Sequence, residues 1–335
     1  MGIDEQNDGK TLLLGAGHVG NQVPSKMHEG STDTRGAVIE GLRQPSALQQ
    51  KLAADLFGVA DVERVINPPE GLNGKDVLRI NVTNKKEWET VENLRKLAPA
   101  FGKIIYDVFK DDGKSADVIG TDEFVRRYFV EGDMAGASDM YVVADEGGKV
   151  EGLYLQGDVE SAGPLNMKYI LLTCVDKNLR GQGMGKDLYR LIFSRQDVDA
   201  FVGITHTPSV VSSRVRIGDE FAYDTFFAGS KNGDADLAIS DPERNALKLA
   251  YAGIDAQTEH YGMGELQEGV PEDYVNYGAD GIAPRTMEEV EAIPNQQLRS
   301  RFENLVGWQQ TNRPGECIYG KIVTLKRFAV DKLKQ

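Results

Sequence analysis

Residues 168–195 read KYILLTCVDKNLRGQGMGKDLYRLIFSR, and the order of textures in them decides the fold. Residues 169–175 are apolar and rich in branched side chains, as a buried strand requires. Residues 176–185 turn polar and then glycine-dense. From 186 to 195, Leu188, Leu191 and Ile192 fall at helical spacing. The stretch predicts a strand, a glycine turn and a helix.

Such a turn has a chemical use. Arg180-Gly181-Gln182-Gly183-Met184-Gly185 removes side chains just where a helix starts. The first N–H groups of a helix have no partner within it and point out of its end, where the dipole favours negative charge. A phosphate suits that place; glycine lets it approach the backbone, and Arg180 supplies a cation.

The pattern Arg/Gln-x-x-Gly-x-Gly/Ala, behind a strand ending in Val-Asp, resembles the acetyl-CoA signature of the GNAT N-acetyltransferases, here with Arg180, Gly183 and Gly185. The resemblance implies a loop that holds the CoA pyrophosphate, formed by Arg180, Gly181, Gln182, Gly183, Met184, Gly185 and Lys186. It implies that backbone N–H groups near the strand's end, over Thr173, Cys174 and Val175, polarise the thioester. Ser209, at the start of a later helix, would also meet the cofactor. Acetyl-CoA is then the acyl donor, no metal is needed, and the acceptor is a primary amine on a small molecule or peptide.

Outward from that stretch the chain alternates. Residues 76–83 read as a strand and 85–97 as a helix with Trp88, Val91, Leu94 and Leu97 on one face. Residues 102–109 suit a further strand or a helix-flanking element. Residues 122–131 form an apolar helical face with Thr121 as its cap. Residues 141–145 and 150–156 read as a hairpin about Gly147 and Gly148. Beyond the signature, 200–205 is a strand, 208–218 a helix begun by Pro208, and 221–228 a strand. This order is also that of the resembling family.

The expected fold is α/β: a GNAT-like mixed, mostly antiparallel sheet flanked by helices, with an N-terminal extension over 1–75 and the acyltransferase domain over 76–335. A large insertion, 234–316, precedes the last strand, 317–328, which should lie beside the strand at 221–228. Within the insertion, 242–252 and 287–306 are helix candidates, Pro294 should kink or split the second, and 261–277 reads as loop. In the extension, 46–56 suits a short helix and 67–71 is a turn cluster suited to a linker. Gly15, Gly17 and Gly20 imitate a dinucleotide fingerprint, but a polar run with Pro24 and Gly30 stands where its helix should be, so a loop is expected there.

Amide formation needs a neutral amine, a donor for the developing oxyanion and a proton for the departing thiolate. In the resembling family a tyrosine on the fourth helix often supplies that proton. Aligning Gly218 places Arg214 at the tyrosine's position, and an arginine stays protonated. His206, at the end of the fifth strand, and Tyr223, on the next strand, are the substitutes. Asp176 suits a turn better than catalysis. Tyr261, Glu265, Glu268, Tyr274 and Tyr277 could line a site for a cation.

Composition bounds the rest. The 335 residues are 40% hydrophobic and 27% charged, which is ordinary for a soluble globular chain of about two domains. Lys+Arg 38 against Asp+Glu 52 gives −14, which disfavours nucleic acid and suits solubility or a cationic substrate. No apolar run approaches the ~20 residues of a membrane span. The acidic start, MGIDEQNDGK, lacks the basic opening of a signal peptide. Two cysteines, Cys174 and Cys317, form neither a disulfide framework nor a zinc cluster and point to a reducing, cytoplasmic setting. An oligomer remains compatible with all of this. The alternative to catalysis is a GNAT-like module that binds CoA or an amino acid as a sensor.

Overall fold

Among the described residues nine strands form one sheet, and all neighbours are antiparallel except the pair β5–β6. The computed structural model describes residues 44–109, 116–159, 163–195, 197–227, 239–260, 274–276, 287–291, 293, 295–314 and 318–329. In chain order the elements are α1 (Ala47–Asp55), β1 (Ala60–Arg64), β2 (Asp76–Val82), α2 (Lys85–Trp88), α3 (Val91–Phe109), α4 (Asp122–Val125), α5 (Asp133–Gly136), β3 (Asp139–Ala144), β4 (Val150–Asp158), β5 (Met167–Val175), α6 (Met184–Phe193), β6 (Ala200–Thr205), α7 (Pro208–Glu220), β7 (Tyr223–Phe227), α8 (Asp241–His260), β8 (Tyr274–Asn276), α9 (Met287–Val290), α10 (Gln296–Asn312) and β9 (Ile318–Lys326). The strand order is β1-β2-β3-β4-β5-β6-β9-β7, with β8 added to β9.

The alternation of side chains along each strand assigns the helices to faces. Leu78, Ile80, Met140, Val142, Leu153, Leu155 and Cys174 point to one face, where α1 and α3 bury Leu52, Leu94, Leu97 and Phe101. On the same face α8 sets Ala246, Leu247, Ala250 and Ile254 over Met167 and Tyr169 of β5, Ala200 and Val202 of β6, and Val323 and Leu325 of β9. The other face carries α6, which buries Met184, Leu188 and Ile192 against Tyr154 and Phe201. There α10 places Leu298, Phe302 and Leu305 against Phe227 and Ile322.

The mostly antiparallel sheet flanked by helices is the fold class expected. The last strand takes the predicted place: β9 pairs with β7 on one side and with β6 on the other. Several local expectations change. Residues 102–109 continue α3 instead of forming a strand. Leu97, Phe101, Ile104 and Ile105 keep one buried face, and Pro99 falls on the exposed side, where its missing N–H disturbs no packing. The helix expected over 85–97 is divided into α2 and α3. The helix over 122–131 narrows to α4, followed by a π-turn at Arg126–Val130. The second helix of the insertion is split into α9 and α10. β8 is a strand inside the stretch expected to be loop, because β9 offers it a free edge at Ile318–Gly320. The sheet also takes in β1, from the N-terminal extension, through its pairing with β2. Residues 44–335 form one compact unit. The glycines at 15, 17 and 20, His18 and Cys317 lie outside the described residues.

Candidate functional site: a cleft where two strands part

β5 and β6 pair in parallel only at Met167–Ala200, Lys168–Phe201 and Tyr169–Val202. Both strands run on, to Val175 and Thr205, without further pairing to each other. Between Leu155 and Gln156 of β4 the register against β5 shifts, so Leu171 is an extra residue on β5. A bulge of this kind bends its strand and turns it away from the neighbour. Ile170, Leu171, Leu172 and Thr173 are accordingly half-exposed in mid-sheet. Gly203 marks the last close approach, since a Cβ there would stand 3.1 Å from Ile170 O.

The strand backbone decides which groups face this cleft. Asp176 N donates to Glu151 O of the strand behind it, at 2.8 Å. N–H groups alternate in direction along a strand, so Cys174 N points the same way and is used inside the sheet. Thr173 and Val175 point the opposite way, into the cleft. Of the three backbone donors expected, the geometry therefore offers Thr173 and Val175. The Cys174 side chain is buried under α3's face, and burial raises its thiol pKa well above the ordinary value.

The glycine loop stands at the open end of β5. Asp176 shapes it: its carboxylate accepts from Asn178 N at 2.9 Å and from Lys149 Nζ at 2.6 Å. The Lys149 contact, then the Asn178 N–H, hold the Asp176 carboxyl below the usual carboxylate range. This is the turn role expected of it. Gly181 and Gly183 take φ of +81° and +96°, the left-handed region that glycine adopts without steric cost. Lys186 N and Asp187 N both donate to Gly183 O, which starts α6, so the N–H groups of Met184 and Gly185 precede the first helical bond. A Cβ on Gly181 would meet nothing within 4 Å, and one on Gly185 only Val175 Cγ2 at 3.9 Å. Arg180 is exposed and ties back to the strand through Nε and Val175 O, at 3.3 Å. Met184 itself is buried, so at that position the loop offers only the backbone. Gln182 is exposed, with Nε2 donating to Asn178 O at 2.8 Å, and Lys186 is half-buried.

Across the cleft stands His206, just past β6. Its ring lies 4.4 Å from that of Tyr319, centroid to centroid. Ala200 and Val202 lie in the α8 cluster and Ile204 packs against it, so the two-residue period turns His206 toward that face as well. Ser209 follows as an exposed residue in the first turn of α7.

The other nominated residue, Tyr223, is elsewhere. Insertion of β9 between β6 and β7 removes Tyr223 from the cleft. It is 2% exposed, stacks on Phe193 at 5.5 Å, and its hydroxyl donates to Val198 O at 2.8 Å. Arg214 is 1% exposed beneath α7; its Nε donates to Thr324 Oγ1 at 2.9 Å and its guanidinium also donates to Phe201 O. Of the aromatic and acidic loop expected to hold a cation, Tyr274 is buried in β8. Tyr261, Glu265, Glu268 and Tyr277 lie outside the described residues.

One buried acid escaped the sequence. Asp133 heads α5, which packs across β4 and β5. Its only signal was an acid behind Glu131-Gly132 at the edge of the apolar run Met134-Ala135. Among the described residues, no three or more His, Cys, Asp or Glu side chains could hold a metal ion. Among them, too, no helix is long and apolar enough to cross a membrane.

No protein-family model matches the chain, and no curated protein matches it. Solved structures do. Diaminobutyrate acetyltransferase from Paenibacillus lautus, in complex with L-2,4-diaminobutyric acid and coenzyme A, is 12% identical over 50% of this chain and 89% of its own, with a TM-score of 0.30. An IAA acetyltransferase from Bacillus cereus is 14% identical over 52% and 84%, with a TM-score of 0.24. A GNAT-family acetyltransferase from Staphylococcus aureus is 13% identical over 48% and 89%, with a TM-score of 0.26. The solved structures to which this chain is similar in architecture thus include acetyltransferases, one of them named as a member of the GNAT family.

Proposed function

We propose that the protein is an acyl-CoA-dependent N-acetyltransferase that moves an acetyl group from acetyl-CoA to a primary amine by direct attack. The observation that carries this reading is the parting of β5 from β6 beside a glycine-lined helix start. A cleft in mid-sheet that exposes the N–H groups of one strand can take an extended, amide-bearing arm by adding hydrogen bonds to that strand. The loop fits the other end of such a donor. Its glycines leave space where side chains would stand, its N–H groups at Met184 and Gly185 face outward, and Arg180 and Lys186 add positive charge.

The chemistry follows from these places. Thr173 N and Val175 N are the donors aimed at the oxygen that becomes negative as the amine adds to the thioester. His206, on the opposite lip, is the side chain assigned to return a proton to the departing thiolate. The α8 face of the sheet is the acceptor's side, because α8 lies over both β5 and β6 while the loop belongs to the α6 face. On this reading residues 234–316 shape the acceptor site, and 1–75 are accessory to the catalytic unit.

The test is direct. Titration with CoA should show binding by the full chain, and acetyl-CoA with a panel of primary amines should show CoA release tied to amide formation. A folded protein that binds no CoA overturns the reading. One that binds CoA but acetylates no amine in the panel leaves the sensor alternative in its place.

A further inference from the structure

β7 is the last strand of the sheet, and among the described residues no strand pairs with its outer edge. The hydrogen bonds decide which groups that edge exposes. Arg327 N donates to Ala222 O at 2.9 Å, so Ala222, Asp224 and Phe226 turn their backbone groups toward β9. Tyr223, Thr225 and Phe227 turn theirs outward. Phe227 O bears this out, since it accepts from Arg301 Nη1 at 2.8 Å. The outward N–H and C=O groups of Tyr223 and Thr225 have no partner among the described residues.

This edge is recessed. It forms the floor of a groove of about 850 Å³. One wall comes from α7 and α10, where Val215 and Leu298 belong to the cluster that holds Phe227. The other comes from Ile239 and from Glu243 in the first turn of α8, on the face that buries Phe226. Arg327 closes the Tyr223 end by bonding both Asp219 and Asp224, and Arg301 stands at the Phe227 end. Open sheet edges are templates for another chain. A second copy of this sheet carries the same helices beside its own β7, so its edge cannot reach the floor. A lone extended segment can, because a strand adds at only ~4.8 Å from its neighbour.

The walls differ in charge. The α7–α10 wall carries Arg301 and Arg216, and Arg216 is exposed with no ion pair among the described residues. The acid on that side, Asp219, is held by Arg327. On the α8 wall both carboxylates are also engaged. Asp224 accepts from Arg327 Nε at 3.0 Å, and Glu243 accepts from Ser240 N at 2.7 Å and Ser240 Oγ at 2.6 Å. What the α8 wall offers a ligand is the apolar surface of Ile239 and Phe226.

We propose that the β7 groove binds an extended protein segment as an added strand, and that this segment alternates acidic with apolar residues. The main-chain bonds come from Tyr223 and Thr225. Successive side chains of a strand point to opposite faces. Residues paired directly with Tyr223 and Thr225 share their face, so they meet the α7–α10 wall and are the acidic ones. The residues between them meet Ile239 and Phe226 and are apolar. β6 and β9 separate the groove from the cleft beside β5, and the proposal does not depend on the acyltransferase reading.

The experiment titrates the full-length protein into a labelled seven-residue peptide with blocked ends, in which glutamate and valine alternate, and follows fluorescence anisotropy. Saturable binding with a Kd below about 1 mM is expected. Lysine in place of glutamate should weaken it by more than about tenfold. Methylating the glutamate nitrogens should also weaken it by more than about tenfold, since those N–H groups face β7. Methylating the valine nitrogens, which face solvent, should change it by less than about threefold. Arg216→Glu should reverse the preference between the glutamate and lysine peptides. Thr225→Pro removes an outward donor and leaves the β9 pairing through Asp224 and Phe226, a place where an edge strand accepts proline. It should abolish binding; if that variant does not fold, the methylated peptides carry the test on the unaltered protein. Absence of saturable binding overturns the proposal. So does equal weakening by both methylation patterns, or equal binding of the lysine peptide. A self-association seen in sedimentation that Thr225→Pro removes would give the edge to a second copy and overturn it too.

Discussion

Arg214 on α7 donates from Nε to Thr324 Oγ1 on β9 at 2.9 Å, and it does so without a carboxylate beside it. Burial lowers the guanidinium pKa to about 10, and the neighbouring Tyr189 and Tyr154 offset part of that change. The side chain ties α7 to β6 through Phe201 O and to β9 through Thr324, which also meets Thr225 Oγ1 at 3.2 Å. It joins β9, the strand by which the insertion returns to the sheet, to its neighbour β6.

Arg214 is therefore expected to matter by its volume more than by its charge. Replacing a buried charge by an apolar side chain of similar shape is often neutral or better, whereas truncation opens a cavity. Arg214→Met should change unfolding stability by no more than about 1 kcal/mol. Arg214→Ala should cost about 2–5 kcal/mol. Urea melts of both variants decide it; equal losses would mean that the two hydrogen bonds outweigh packing.

Gly183→Val addresses the loop. At a φ of +96° a branched residue costs about 1–2 kcal/mol in the fold and projects a side chain where the phosphates are proposed to lie. CoA affinity should fall by more than about tenfold, the loss expected from one or two charge-assisted hydrogen bonds. Gly58→Ala is the control, since Gly58 has a φ of +77° with nothing within 4 Å of a Cβ. It should lose stability and keep CoA affinity. Isothermal titration of both variants separates strain from binding.

His206 and Tyr223 should now behave differently. His206→Ala is expected to lower acetyl transfer by ~10²–10⁴-fold with little change in melting temperature, because the ring is half-buried at the cleft's lip. Tyr223→Phe should keep its turnover and lose about 0.5–1.5 kcal/mol, the worth of the bond from its hydroxyl to Val198 O. Burial raises the Tyr223 hydroxyl pKa well above the ordinary value, as befits a core residue. A large rate loss in Tyr223→Phe with normal stability would restore it as a proton donor.

Asp133 gives stability a pH dependence of known sign. Its folded-state pKa, about 7, lies above the ordinary carboxyl value of 3.8, so the native state holds the proton more tightly than the unfolded chain. Its contribution is greatest below about pH 4, declines as pH rises, and is fully lost above about pH 7. The loss is on the order of 3–4 kcal/mol at most. Urea midpoints between pH 4 and 8 should fall for the unaltered protein relative to Asp133→Asn. Parallel curves would show that the carboxyl is not perturbed.

The insertion can be cut without touching the sheet. β8 (Tyr274–Asn276) pairs with β9, so a Gly-Ser linker should replace only residues 261–273, which lie outside the described residues. CoA binding should persist while acceptor turnover falls sharply, since α8 lies over β5 and β6 on the side proposed for the acceptor. Unaltered acceptor kinetics in a stable variant would assign residues 261–273 to a role away from the site.

The sequence by itself determined the central strand, the glycine turn and α6, because each is written in local terms: branched apolar residues, glycines at positive φ, and apolar residues at helical spacing. It also determined the order of the later elements and the return of the last strand beside β7, while its pairing with β6 came only from the tertiary structure. It could not give α3 its full length, since Gly102 looks like a breaker until its bare Cα is seen against Ile119, where a Cβ would come within 2.5 Å of the side chain. Nor could it find β1 or β8, which are short and exist because a neighbouring strand offers an edge. Tyr223 lies away from the cleft for a reason of the same kind. A tyrosine that is near the signature along the chain is carried away from the cleft because β9 inserts between its strand and β6. Local spacing fixes which element a residue belongs to; the burial that sets a side chain's environment arises only when distant elements close over it.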